Sequence, residues 1–265
     1  IYAMIENNPE DVDYFIDKGP VKTERLNVRS VKVYADGALG SRGASMINDY
    51  SDRKGYYGII RTPIDSIKSL AFKLAGTKFQ MNTHAIGDNA NRFVLEAYGD
   101  ALFNYRDPRW RIEHAQIVNE DDIKLFNQKI LPSVQPTHAT SDMYWLYDRI
   151  GKKRATHAYA YQELLNRSQV IAFGTDFPVE DINPIMTYYS AVARKDIENY
   201  PENNVSIYNR WGIVVYDVDG YGQDNKYFKG VSEGRITINS QDELPIGTYF
   251  YIIKYKNNNG EQKQR

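Results

Sequence analysis

Five ionisable residues recur at the ends of short, β-leaning runs: Lys32, His84, His114, His138 and Asp176. Imidazole binds zinc, iron or nickel, so His84 and His114 on neighbouring strands would be half of a hydrolytic metal site. Asp176, within Gly174-Thr175-Asp176-Phe177-Pro178, can bind a metal edge-on and also accept a proton during hydrolysis. Lys32 has two readings. It is a surface strand lysine, or its uncharged amine takes up carbon dioxide to form a carbamate able to bridge two metals. His138, in Gln135-Pro136-Thr137-His138-Ala139-Thr140, is either a contact to substrate or a developing oxyanion, or a hydrogen-bonded loop histidine. His157 falls in a helical stretch and reads as structural. Glu113, on the opposite side of its strand from His114, reads as the partner of Arg111 or Arg109 behind the sheet. Burying a lysine, three histidines and an aspartate together is costly unless they pair or hold a metal.

Such residues need a scaffold that gathers strand ends. Strands are expected at Val31–Asp36, Phe79–Thr83, Trp110–His114, Leu131–Gln135 and Val170–Gly174, the last an apolar run of the kind buried on both faces. Between them, helical spacing predicts Ile64–Ala75, Asp88–Phe103 with Asp88 as N-cap, Asp121–Gln128, Ala155–Leu165 and Pro184–Arg194. A short helix is expected from Pro9 to Ile16, and a Gly/Ser loop from Gly37 to Gly43 that continues to Thr62. Five alternations of strand and helix argue for parallel βαβ units, and in a β/α barrel the C-terminal strand ends meet at one face.

Helical periodicity stops near Ile197. Residues 1–196 therefore form one expected domain and 197–265 a second, joined by a polar linker over Glu198–Asn204. In the second, Val205–Tyr216 reads as two strands around an Asn-Arg-Trp-Gly turn. Tyr227–Gly230, Arg235–Ile238 and the long Tyr249–Tyr255 run follow. Short strands at this spacing suggest a small all-β sandwich. Trp211, Tyr249 and Tyr251 are expected in packing. With 33 basic and 34 acidic residues the net charge is −1, which gives no pull toward nucleic acid or an anionic membrane. No apolar run approaches the ~20 residues of a membrane span. There is no cysteine, hence no disulfide or thiolate chemistry. The chain opens on Ile1 without a leader-like segment, which reads as a cut.

The segments Lys32–Arg42, Thr83–Asp88, Arg111–Gln116, Gln135–Thr140 and Gly174–Glu180, in this order and spacing, resemble the amidohydrolase superfamily. The resemblance is to its Amidohydro_3 branch, the YtcJ-like group that includes N-substituted formamide deformylase. It implies a (β/α)8 TIM barrel with one or two divalent metals, expected to be zinc, and hydrolysis of a small-molecule, non-peptide amide or formamide C–N bond by a metal-activated hydroxide. Carried over, it makes Lys32 the carbamylated ligand, His84 and His114 the fifth- and sixth-strand ligands, and Asp176 the eighth-strand base. The family's first strand carries a His-X-His pair, and none occurs here. With ~250 residues typical of a whole barrel, residues 1–196 are expected to form about strands 4–8, with impaired activity. The alternatives are an ester or lactone hydrolase at the same site, or a non-catalytic surface protein with an inert barrel portion.

Residues 197–262 resemble the gliding-motility-associated CHU_C domain of type IX secretion, through Tyr208–Gly212 and Leu244–Tyr251. This implies secretion or cell-surface display. The family's opening and closing strands are absent, so the Ig-like sandwich is expected to be incomplete, with open edges that favour self-association.

Overall fold

The computed structural model describes residues 1–195, 203–221, 226, 228, 230–231, 244–245, 249–256 and 262–264. It divides into two units, Ile1–Arg194 and Lys195–Arg265.

The first unit is built on a parallel sheet. Its strands are β1 (Tyr2–Glu6), β3 (Asn27–Tyr34), β4 (Gln80–Ala85), β5 (Trp110–His114), β6 (Ile130–Val134) and β7 (Ala172–Phe173), hydrogen-bonded in that order. A two-residue strand, β2 (Val21–Lys22), runs antiparallel to the start of β3. The path of six parallel strands is open between β1 and β7: a half-barrel, the expected partial TIM barrel. β1 was not anticipated, because Tyr2–Glu6 shows no clean apolar alternation and only Ile5 is buried.

The core lies between the sheet and its helices. α1 (Pro9–Lys18) begins at an Asn8 cap that accepts from Glu10 N. α2 (Ile64–Ala75) buries Ile67, Ala71 and Leu74, one stripe at helical spacing. α3 (Asp88–Ala101) buries Ala90, Val94, Ala97, Tyr98 and Ala101 in the same manner. These faces cover the buried side of the strands, including Val31, Val33, Met81 and Ile112. The Tyr98 hydroxyl meets Thr83 Oγ1 at 2.7 Å, and its ring packs edge-on to Trp110 at 4.9 Å. The buried polar tip of the tyrosine is thereby satisfied.

Several boundaries differ from expectation. Gly87, not Asp88, caps α3, and Asp88 instead accepts from Ile47 N at 2.8 Å. α4 is a single turn (Glu120–Ile123). β6 is followed directly by α5 (Pro136–Ser141) and a 3₁₀ turn (Asp142–Tyr144). The helix expected over Ala155–Leu165 forms only in its second half: α6 (Leu146–Ala155) ends where it should begin, and α7 (Tyr161–Ser168) starts after a turn in which Tyr159 adopts φ 53°. β7 is two residues long and Phe173 is 43% exposed, so it is not buried on both faces. α8 (Pro184–Ala193) closes the unit.

The second unit is an antiparallel sheet in the order β11 (Gln262–Gln264), β10 (Phe250–Lys256), β8 (Asn203–Tyr208), β9 (Val214–Asp219). Asn209 makes the expected turn. Its Oδ1 accepts from Trp211 N and Ile213 N, both at 3.0 Å, and Gly212 supplies φ 74°. Trp211 is 72% exposed at the tip of that turn and so is not core packing. Tyr249 packs against Val205, Ile207, Val215, Tyr216 and Tyr221. The Arg235–Ile238 strand, most of the 198–204 linker, and Tyr227 and Lys229 lie outside the described residues.

Candidate functional site

Strand register decides which side chains share a face. Lys32 on β3 is opposite Asn82 on β4, which is opposite Arg111 on β5. Two residues on, His84 is opposite Glu113. Side chains alternate along a strand, so Lys32, Asn82, His84, Arg111 and Glu113 line one face. Arg111 Nε donates to Glu113 Oε1 at 2.8 Å. Glu113 therefore pairs with Arg111 as expected, but on the face of Lys32 and not behind the sheet.

Strict alternation would turn His114 away from His84. It does not, because His114 has φ 77° and Ala115 φ 42°. This break in the strand swings the imidazole back, and the two rings meet edge-on with centroids 4.5 Å apart. His138, on α5, lies parallel to His114 at 6.1 Å.

Each ring has a neighbour that bears on its tautomer. Gln135 Oε1 lies 2.7 Å from His114 Nδ1. A carbonyl oxygen only accepts, so the proton sits on Nδ1 and the Nε2 lone pair is free. Asp36 Oδ1 lies 3.4 Å from His84 Nε2. That contact is within ion-pair reach but is not aligned as a hydrogen bond, so Nε2 stays a buried, unpartnered atom. A carboxylate there favours the proton on Nε2 and leaves the Nδ1 lone pair free. At His138 the order is opposite to that of His114: Gln116 Nε2 faces Nδ1 at 3.1 Å, which makes Nδ1 the acceptor and Nε2 an N–H donor. That Nε2 is buried without a hydrogen-bond partner, 4.0 Å from Glu180 Oε1.

Burial pushes His114 well below the usual imidazole range, and the neighbouring His84 and Lys32 charges add to it. Burial also lowers His138, against the pull of Glu180 and Asp176. Both rings are neutral at pH 7. Burial lowers Lys32 too, opposed by Glu113 and Asp176, and its ammonium lies over the Tyr34 ring at 4.9 Å.

Asp36 is the residue that sequence reasoning missed. It is fully buried and accepts from Ser45 N, Ile86 N and Gly87 N at 2.8, 3.0 and 2.8 Å. It ties the 37–58 loop to the turn that follows His84. Its signal was an acidic residue inside an apolar strand end, followed at once by glycine. Gly87 shares that role: a Cβ there would lie 2.0 Å from Ser45 O.

Asp176 is exposed, beyond β7, with φ 56°. His157 lies in the turn between α6 and α7, 3.6 Å from Glu120. Two adjacent imidazoles are nitrogen donors of the kind that suit a divalent cation. They do not make a full ligand set, since among the described residues no three His, Cys, Asp or Glu side chains are grouped to hold a metal ion. Also among the described residues, no helix is long and apolar enough to cross a membrane.

Residues 3–214 match the model of the amidohydrolase family (Amidohydro_3), and residues 186–265 match that of the CHU_C type IX secretion signal domain. "Protein LONG AFTER FAR-RED 3" of Arabidopsis thaliana is 38% identical over 69% of this chain and 32% of its own length. "Putative amidohydrolase YtcJ" of Bacillus subtilis is 32% identical over 71% of this chain and 35% of its own. The chain thus spans about a third of the length of these curated relatives. Two crystal structures of uncharacterized metal-dependent hydrolases are similar. The one from Pyrococcus furiosus has TM-score 0.65 and 29% identity, covering 72% of this chain and 40% of that one. The one from Pyrococcus horikoshii OT3 has TM-score 0.64 and 29% identity, covering 73% and 39%.

Proposed function

The chain belongs to the amidohydrolase family, and from that membership we propose that its half-barrel carries part of the site of a metal-dependent hydrolase of small-molecule, non-peptide C–N bonds, amide or formamide. The observation that carries this reading is the His84–His114 pair, edge to edge at 4.5 Å, with Gln135 fixing the His114 tautomer. His84 and His114 would hold a divalent metal, zinc being the one the family resemblance implies, and it would supply Lewis acidity to the scissile carbonyl. The chain's own residues do the rest. His84 and His114 offer ring nitrogens. Lys32, whose ammonium burial disfavours, is the residue on which a carbamate would form. His138 presents its Nε2–H to charge developing on oxygen. Asp176 takes and returns the proton, which requires its carboxylate to swing in from an exposed position.

No His-X-His pair occurs in this sequence, and among the described residues no third ligand is grouped with the two histidines, which supports reading the site of these residues by themselves as impaired. The same two facts support the second reading, in which the barrel portion is inert and the C-terminal module sorts the protein to the cell surface through type IX secretion. The test is elemental analysis of the purified chain after zinc loading and desalting, together with turnover of an N-substituted formamide. Sub-stoichiometric zinc, lowered further by His84→Ala or His114→Ala, supports the hydrolase ancestry with an impaired site. Stoichiometric zinc with brisk hydrolysis removes the impairment. Zinc content indifferent to both substitutions removes the metal-site assignment.

A further inference from the structure

We propose that a cavity at the N-terminal ends of β3, β4 and β5, away from the strand ends that carry the histidines, binds a small oxyanion bearing two or more charges. The cavity has a volume of about 480 Å³, within the size of a small-molecule site. Its lining includes Lys22, Arg29, Lys78 and Arg106, with Tyr105 beside them. The one acidic group of the wall, Asp107, is already held by Arg109 Nε at 2.7 Å. None of the four cations has an ion pair among the described residues. Four unpaired positive charges in one recess stand out in a chain whose net charge is −1.

Arg29 gives the recess its direction. Its Nε is buried and has no hydrogen-bond partner, whereas Lys22, Lys78 and Arg106 are exposed. That Nε is closed off from solvent, so the donors an anion in the recess can reach are the two Nη nitrogens of the same guanidinium, which make no hydrogen bond among the described residues. Guanidinium presents a planar fork of donors that matches a phosphate or carboxylate edge. The three exposed cations raise the local positive potential and draw an anion in. A single phosphate or carboxylate would neutralise only part of this charge. Pyrophosphate-like or polycarboxylate ligands match it better, and both present the same oxyanion chemistry.

The experiment titrates the full chain at low ionic strength with pyrophosphate in one arm and citrate in the other, by calorimetry and, for pyrophosphate, by ³¹P line broadening. Saturable one-site binding by at least one probe is expected, weakening as sodium chloride is raised. Arg29→Gln is expected to weaken it on the order of tenfold, the usual effect of deleting a charge-assisted hydrogen bond. Lys78→Gln with Arg106→Gln, both on exposed residues that leave the fold intact, is expected to do the same or more. Lys124→Gln, an exposed charge elsewhere, is the control and should leave affinity unchanged. Preference for pyrophosphate assigns a phosphate ligand, and preference for citrate a polycarboxylate. Absence of saturable binding by both probes overturns the proposal. So does binding that survives the double substitution, or that falls equally with Lys124→Gln.

Discussion

Asp36 shows how much one side chain can hold in place. Its carboxylate accepts three backbone N–H groups from two separate segments and stands beside His84. Asp36→Ala strands those donors in the interior, and should cost roughly 3–5 kcal/mol. Urea denaturation reads this, and a loss under about 1 kcal/mol would show that the loop is held by other contacts. Gln135 acts on metal affinity instead. Gln135→Leu removes the acceptor that fixes the His114 tautomer. Zinc or cobalt retention, measured against a competing chelator, should weaken about 10–100-fold with the far-ultraviolet dichroism unchanged. Asp142 acts through pH. Burial pushes its carboxyl from 3.8 up to about 6, helped by Glu180 and resisted by the Tyr159 hydroxyl bond. The folded state therefore binds the proton more tightly than the unfolded one, and ionised Asp142 costs stability as pH rises through about 4 to 6. Asp142→Asn keeps an acceptor for Tyr159 and removes the charge. It should match the parent near pH 4 and exceed it at pH 8 by up to about 3 kcal/mol. Denaturation curves at pH 4, 6 and 8 check this, and a constant difference across them would refute it.

At the scale of elements, the long 35–63 connection is shaped by close backbone approaches. Gly58 has φ +83°, and a Cβ there would lie 1.9 Å from Ala44 O. Gly58→Ala should destabilise by about 2–4 kcal/mol. Gly174→Ala, where a Cβ meets nothing within 4 Å, should change stability by less than about 0.5 kcal/mol. Equal effects in denaturation would mean that the 35–63 loop relaxes freely. These contacts also explain what could be read in advance. α2, α3, β4 and β5 were legible because apolar residues recur at the period of one packed face, as Ile67, Ala71 and Leu74 do. The histidines at the ends of β4 and β5 were legible as residue types at strand ends. The pairing of His84 with His114 was not derivable from alternation, which sends His114 the other way; it rests on the positive φ at His114. α5 was missed because Pro136-Thr137-His138 carries no apolar stripe, and its helix is set by proline in the first turn after β6. The single Ala155–Leu165 helix failed for the opposite reason. Its periodicity runs on through a left-handed Tyr159 that no propensity announces.

At the scale of the whole molecule, the two units have separate cores. One is the large cluster between the parallel sheet and its helices. The other is Val205, Ile207, Val215, Tyr216 and Tyr221 with a few partly buried neighbours. The second unit has 71 residues, a size that gives little margin against chain entropy. Heat should therefore melt the chain in two steps, the smaller unit first, and not as one two-state transition. Ile207→Ala should lower only the first step, by about 2–4 kcal/mol, and Ile67→Ala only the second. A metal that binds only the folded half-barrel should raise the second step alone, by about 2.7 kcal/mol at a free concentration one hundred times Kd. Calorimetry with and without zinc separates these outcomes. If zinc or either substitution moves both transitions together, the units unfold as one cooperative body, and the amidohydrolase-family unit and the CHU_C unit are coupled in stability.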